Sequence, residues 1–149
     1  GLTHDERGYP DMSPARQDKL IRRLSDKILD HVDELVLLEE DGVEGADVVV
    51  LSYGISSRVA VRGIDLAREK GIKVGHIQMK IVWPFPAARV SELADKVKAL
   101  VMVELNFGQV YTELDRVVKG RCGVHLCGHA GGTVHDPEVI AATIEEAAR

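Results

Sequence analysis

Only two cysteines, Cys122 and Cys127, occur among the 149 residues. That excludes a disulfide framework, and it excludes an iron–sulfur cluster held by this chain alone, because such a cluster takes four thiolates. Their spacing also misses the C-x-x-C pattern of redox pairs. Positive charge is in deficit: 19 Lys and Arg stand against 24 Asp and Glu, a net charge of -5. No basic stripe therefore offers itself to nucleic acid or to an anionic membrane. Long apolar runs are missing too; the longest reach about half of what a bilayer-spanning helix needs, and no basic-then-apolar leader opens the chain. A reducing, cytoplasmic setting is the expectation from these absences. Residue 1 is Gly rather than Met, which suits a processed product or a part of something longer.

What is present, 45% hydrophobic residues, supplies one sizeable core. Residues 1–13 are polar, carry Gly8 and Pro10 and show neither helical nor strand periodicity, so they read as an arm. Ser13 then precedes Pro14 as an N-cap precedes a first-turn proline. Leu20, Ile21, Leu24, Ile28, Val32, Leu35 and Val36 follow at three- and four-residue intervals, the stripe of one amphipathic helix that must bury itself on something. From Ala46 the pattern changes. Short apolar runs at 47–52, 72–79, 100–104 and 124–127 alternate with helical patterns opening at Ser56 or Ser57, Pro86, Phe107 and Asp136. Strands that are apolar throughout are covered on both faces. The expected architecture is a linker arm and amphipathic helix over 1–45, then an α/β domain over 46–149. That domain is expected to be a three-layer αβα sandwich around a mostly parallel sheet.

Open α/β sheets bind ligands beyond the carboxyl ends of their strands, which directs attention to the loops after them. The first, Ser52-Tyr53-Gly54-Ile55-Ser56-Ser57-Arg58, offers hydroxyls, a helix N-terminus and an arginine. Those groups could cradle a carboxylate or phosphate, or simply form a capped helix start with a solvated Arg58. Neither a dinucleotide G-x-G-x-x-G nor a Walker sequence is present. The loop at 81–86 sets the only Trp beside two prolines, a rigid corner. The next, Glu104-Leu105-Asn106-Phe107-Gly108-Gln109, presents a carboxylate and two amides without a nucleophile and base beside them. Its candidates are Glu104, Asn106, Gly108 and Gln109, suited to a neighbouring chain or a small polar ligand. Finally, alternation along a strand would point His125, Cys127 and His129 the same way at steps of about 6.6 Å, with Cys122 out of phase. Their spacing matches no zinc pattern, whereas a strand, a Gly131-Gly132 turn and a capped helix account for the same residues.

In order along the chain, GLTHDERGYP with its following helix, VVVLSYGISSRVA, GIKVGHIQMKIVWPFP, VMVELNFGQV and GGTVHDPEVI together form a recognisable set. The set resembles the C-terminal part of the alpha subunit of 2-oxoacid:ferredoxin oxidoreductases, most closely those acting on 2-oxoglutarate. Thr3 departs from it, standing where an acidic residue is expected. The resemblance implies a transketolase C-terminal-like fold. It also implies a complex that converts a 2-oxoacid and coenzyme A to acyl-CoA and carbon dioxide while reducing ferredoxin. Thiamine diphosphate with Mg, and iron–sulfur clusters, would serve the complex without being bound by this domain alone. Its expected partners are a beta subunit and a preceding pyrimidine-binding domain. Under this reading Ser52, Tyr53, Gly54, Ser56, Ser57 and Arg58, with the Glu104–Gln109 loop, lie at a subunit interface or near the coenzyme A path. The alternative is a free-standing small-molecule or anion-binding module built on Ser52–Arg58.

Overall fold

A computed structural model describes residues 2–149 of the chain. It divides into two compact units, Gly1–Leu35 and Val36–Arg149.

In the first unit the arm folds back on itself. His4 and Pro10 form an isolated bridge, and the Asp5 carboxylate accepts hydrogen bonds from the backbone N–H groups of Arg7 and Tyr9 at 2.9 and 3.0 Å. Thr3 is buried and its hydroxyl donates to Gln17 Oε1, so the residue that departs from the family pattern is an anchor. Helix α1 runs Pro14–Leu29, with Ser13 at its N-cap position and Pro14 in its first turn. The periodicity suggested one helix through Val36; instead Asp30 caps α1, and a single turn, α2 (Val32–Leu35), follows. Asp30 and Asp33 are poor helix formers, and a carboxylate at a helix C-terminus faces the negative end of its dipole. No side chain of α1 is buried, and Ile21, Leu24 and Leu29 are exposed.

The second unit is the α/β sandwich. Its parallel strands are β2 (Val48–Tyr53), β3 (Val74–Met79), β4 (Ala99–Glu104) and β5 (Gly123–Gly128). The helices are α3 (Gly54–Glu69), α4 (Ala87–Ala94), α5 (Tyr111–Val118) and α6 (Pro137–Ala147). Asp136 caps α6 as read, its Oδ1 accepting from the Glu138 N–H at 2.9 Å.

A fifth strand, β1 (Leu38–Asp41), pairs antiparallel with β3 and gives the order β1-β3-β2-β4-β5. The sheet unit thus begins at Val36 rather than Ala46. Three of the four residues of β1 are acidic and solvated, so no apolar alternation marks it. It is held by β3 and by the ion pairs Glu39–Lys80, Glu40–Arg89 and Asp41–Arg68.

Strand alternation divides the core. Val49, Leu51, Ile77, Met79, Leu100 and Met102 pack under α4 and α5, and Val48, Val50, Val74, Ala99, Val101 and Val103 under α3 and α6. Both faces of β2 and β4 are buried, which is why those strands are apolar throughout.

Helices α3 and α6 approach closely because position 63 is glycine. A Cβ there would lie 2.7 Å from Cβ and Cγ2 of Ile140. Gly63→Ala raises local helix propensity yet forces the two helices apart. The expected result is a net loss of about 2 kcal/mol in urea-unfolding free energy.

Candidate functional site

Helix α3 follows β2 on one face of the sheet and α5 follows β4 on the other, so neighbouring strands send their chains opposite ways. The crevice between the carboxyl ends of β2 and β4 is thus the topological switch point. Both candidate loops meet there.

Glu104, the last residue of β4, is fully buried beneath α5. Its Oε2 accepts from the Tyr53 hydroxyl at 3.0 Å, Asn106 Nδ2 at 2.9 Å and the Val110 N–H at 3.1 Å, and its Oε1 accepts from the Tyr111 N–H at 2.9 Å. The carboxylate thereby fills the N-terminus of α5, where the free N–H groups and the helix dipole favour negative charge. Asn106 closes the network: Nδ2 also donates to Tyr53 Oη at 3.0 Å, and Oδ1 accepts from the N–H groups of Gly108 and Gln109, each at 2.8 Å. Those bonds, with Gly108 at φ +104°, hold residues 107–110 out of the helix and start α5 later than the sequence pattern suggested. Burial, and then the Glu104 charge, push the Tyr53 pKa above the ordinary tyrosine value.

The Ser52 loop turns its hydroxyls inward. Ser52 is fully buried; its Oγ donates to Ser57 Oγ at 2.9 Å and lies 2.7 Å from His76 Nε2. Ser57, Ser52 and His76 thus form one chain of short polar contacts in the interior. Ser56 is buried as well, and Gly54, at φ +57°, allows the sharp passage from strand to helix. Arg58 is exposed, with no ion pair among the described residues. The hydroxyls therefore assemble a buried polar network rather than an anion cradle.

His76 escaped the sequence reading. Only the parallel register, Val50 with His76 and Ser52 with Gln78, brings it onto the Ser52 face. His135 escaped as well. It is buried, its Nε2–H donates to the Cys127 carbonyl at 3.1 Å, and its Nδ1 is the one buried side-chain N or O atom without a partner among the described residues. Its ring packs edge-on against His129 at 4.7 Å between centroids.

That contact takes His129 away from the row with His125 and Cys127. Cys127 packs in the core under α3 and α6, and Cys122 against the opposite one. No group of three or more His, Cys, Asp or Glu converges to hold a metal among the described residues. Burial also raises both thiol pKa values, disfavouring the reactive thiolate.

Large apolar side chains are exposed at this end of the sheet beside the exposed polar Arg58, Lys80, Gln109 and Thr133. Ile55 in the first turn of α3, and Trp83, Phe107 and Val134 in the loops after β3, β4 and β5, stand out, with Phe107 82% exposed. They form an apolar rim around a polar network that is satisfied from within.

Residues 46–140 match the family described as pyruvate:ferredoxin oxidoreductase core domain II, and the chain belongs to that family. Among named relatives it is similar to the 2-oxoglutarate synthase subunit KorA of Methanothermobacter marburgensis, 43% identical over 141 residues. The match covers 94% of this chain and 38% of that protein. The KorA subunit of Methanocaldococcus jannaschii is also 43% identical, over 140 residues covering 94% of this chain and 37% of its own length. Among solved structures, 2-oxoglutarate:ferredoxin oxidoreductase from Magnetococcus marinus superposes over 99% of this chain and 26% of its own, with TM-score 0.72 and 27% identity. A split-gene transketolase, at TM-score 0.64 and 18% identity over 74% of this chain and 41% of its own, shares the fold. The family resemblance and the transketolase-like α/β fold are thereby borne out. The chain spans less than two fifths of the length of these KorA relatives.

Two outcomes are expected here. Glu104→Gln removes the charge and turns an NH2 group toward a set of donors. It should lower unfolding free energy by about 3 kcal/mol and speed amide exchange over 104–111. The second concerns pH. Burial depresses the pKa of His76 and His135 below the ordinary 6.5. The unfolded chain therefore takes up protons first on acidification, so this stability is complete above about pH 6.5 and is lost as the pH falls toward the depressed values. Urea unfolding from pH 7.5 down to 5.5 should show the decline, with a smaller slope in His76→Gln.

Proposed function

We propose that this chain is the C-terminal domain of the alpha subunit of a thiamine-diphosphate-dependent 2-oxoacid:ferredoxin oxidoreductase of the 2-oxoglutarate type, working in the cytoplasm. The complex would convert a 2-oxoacid, coenzyme A and oxidised ferredoxin to acyl-CoA, carbon dioxide and reduced ferredoxin. The observation that carries this reading is the 43% identity to KorA over 94% of the chain. Support also comes from the Magnetococcus marinus structure, which is described with 2-oxoglutarate, coenzyme A and succinyl-CoA bound. Thiamine diphosphate with Mg would lie between the preceding pyrimidine-binding domain and the beta subunit, and the iron–sulfur clusters elsewhere in the complex. Cys122 and Cys127, on opposite faces of the sheet, do not suit a cluster, so no cofactor step is assigned to these residues.

The domain's part is assembly and access to the active site rather than chemistry. The Glu104 carboxylate, the Asn106 amide and the hydroxyls of Ser52, Ser57 and Tyr53 are engaged with one another, with His76 or with the backbone. The Glu104 network holds the two loops rigid, and the rim of Ile55, Trp83, Phe107 and Val134 meets a neighbouring domain or the beta subunit. Large apolar and aromatic side chains held on a fixed frame are what interface anchors require. The apolar stripe of α1 serves the same end.

The test is affinity co-purification of the full alpha chain with its beta subunit. Phe107→Asp, folded by circular dichroism, should weaken the complex by about 2 kcal/mol, or thirtyfold. Undiminished association of both Phe107→Asp and Trp83→Ser would sink the interface assignment.

A further inference from the structure

The two edges of the sheet are guarded unequally. An open strand edge presents unpaired N–H and C=O groups that invite another strand, and natural sheets protect such edges with charge, proline, bulges or shortness. Edge β1 has that protection: four residues long, three of them acidic. Edge β5 has none. It is six residues long, as long as the inner strands, carries no charged residue and no proline, and keeps unbroken register with β4 from Gly123 to Gly128. Val124, His125 and Leu126 remain only half-buried at the end of the sheet.

The residues along β5 also say which strand suits it. Gly123-Val124-His125-Leu126-Cys127 reads as small, aliphatic, imidazole, aliphatic, small in either direction. In an antiparallel pair, residues directly opposite share a face. Pairing two copies about a twofold axis at His125 therefore sets Val124 against Leu126 of the second copy, both on the α4 and α5 face. Gly123 then meets Cys127, and the two imidazoles stand opposite each other. A slip of one residue opposes mismatched faces. A slip of two sets Val124 against Gly128 and leaves one aliphatic pair, Leu126 with Leu126 of the second copy, in place of two. On a chain of net charge -5, an uncharged edge is also where two copies approach with least repulsion.

We propose that β5 is a self-association edge, through which two copies of this chain join their sheets antiparallel about a twofold axis at His125. This surface is separate from the carboxyl rim and does not depend on the role given to that rim.

Sedimentation equilibrium of the full chain at high micromolar concentration tests it. The expected species has twice the 16.3 kDa chain mass. His125→Lys and His125→Glu each place like charges opposite each other and should weaken association about tenfold. An equimolar mixture of the two variants should regain the dimer through a Lys–Glu pair. If either variant fails to fold, amide exchange of the unaltered chain gives the answer, since β5 amides should gain protection as concentration rises. A wild-type monomer, association unaffected by both variants, a mixture that does not recover, or concentration-independent β5 exchange would each overturn the proposal.

Discussion

A single buried carboxylate organises the functional end of this molecule. Glu104 leaves the sheet where the chain must turn toward α5, and a charge there is tolerable only if hydrogen-bond donors surround it. Four donors do: the Tyr53 hydroxyl, the Asn106 amide and two backbone N–H groups at the start of α5. Because Tyr53 ends β2 and Asn106 shapes the following turn, one side chain ties two strands, a loop and a helix together. Its geometry follows from the topology, since β2 and β4 are neighbours whose chains depart to opposite faces.

The same economy governs the histidines. His76 and His135 are both buried and kept neutral by desolvation, each fixed by one hydrogen bond, to Ser52 and to the Cys127 carbonyl. They fasten the α3 and α6 side of the sheet as Glu104 fastens the α4 and α5 side. At its carboxyl rim the molecule shows the large apolar side chains Ile55, Trp83, Phe107 and Val134 among exposed polar ones such as Lys80 and Gln109. What it shows at the β5 edge is an uncharged strand. These surfaces belong to a chain whose KorA relatives are more than twice as long.

Some of this was legible in the residues because burial leaves a local mark. The runs Val48–Leu51 and Ala99–Val103 are apolar throughout since both of their faces are covered, and the Asp136-Pro137 pair announces α6 through cap chemistry alone. Strand β1 left no such mark. Its residues are held by a neighbouring strand and by Arg68, Arg89 and Lys80, all distant in sequence, so its acidic letters read as linker. The break after Leu29 was hidden for the opposite reason, the apolar stripe continuing past the point where the backbone turns out of the helix. At the site, the position of both loops after strands marks them in the sequence, whereas only the parallel register sets Ser52 beside His76.

By itself, then, the order of apolar runs, caps and breakers determined the α/β class, the succession of helices and strands from Val48 onward, and the family, because each is written in neighbouring residues. Strand order, the pairing of Ser52 with His76 and of Tyr53 with Glu104, and the division between guarded and open edges were decided only by the tertiary structure. Those features depend on which distant segments lie side by side, and hydrogen bonds between strands and side chains form by proximity in space rather than along the chain.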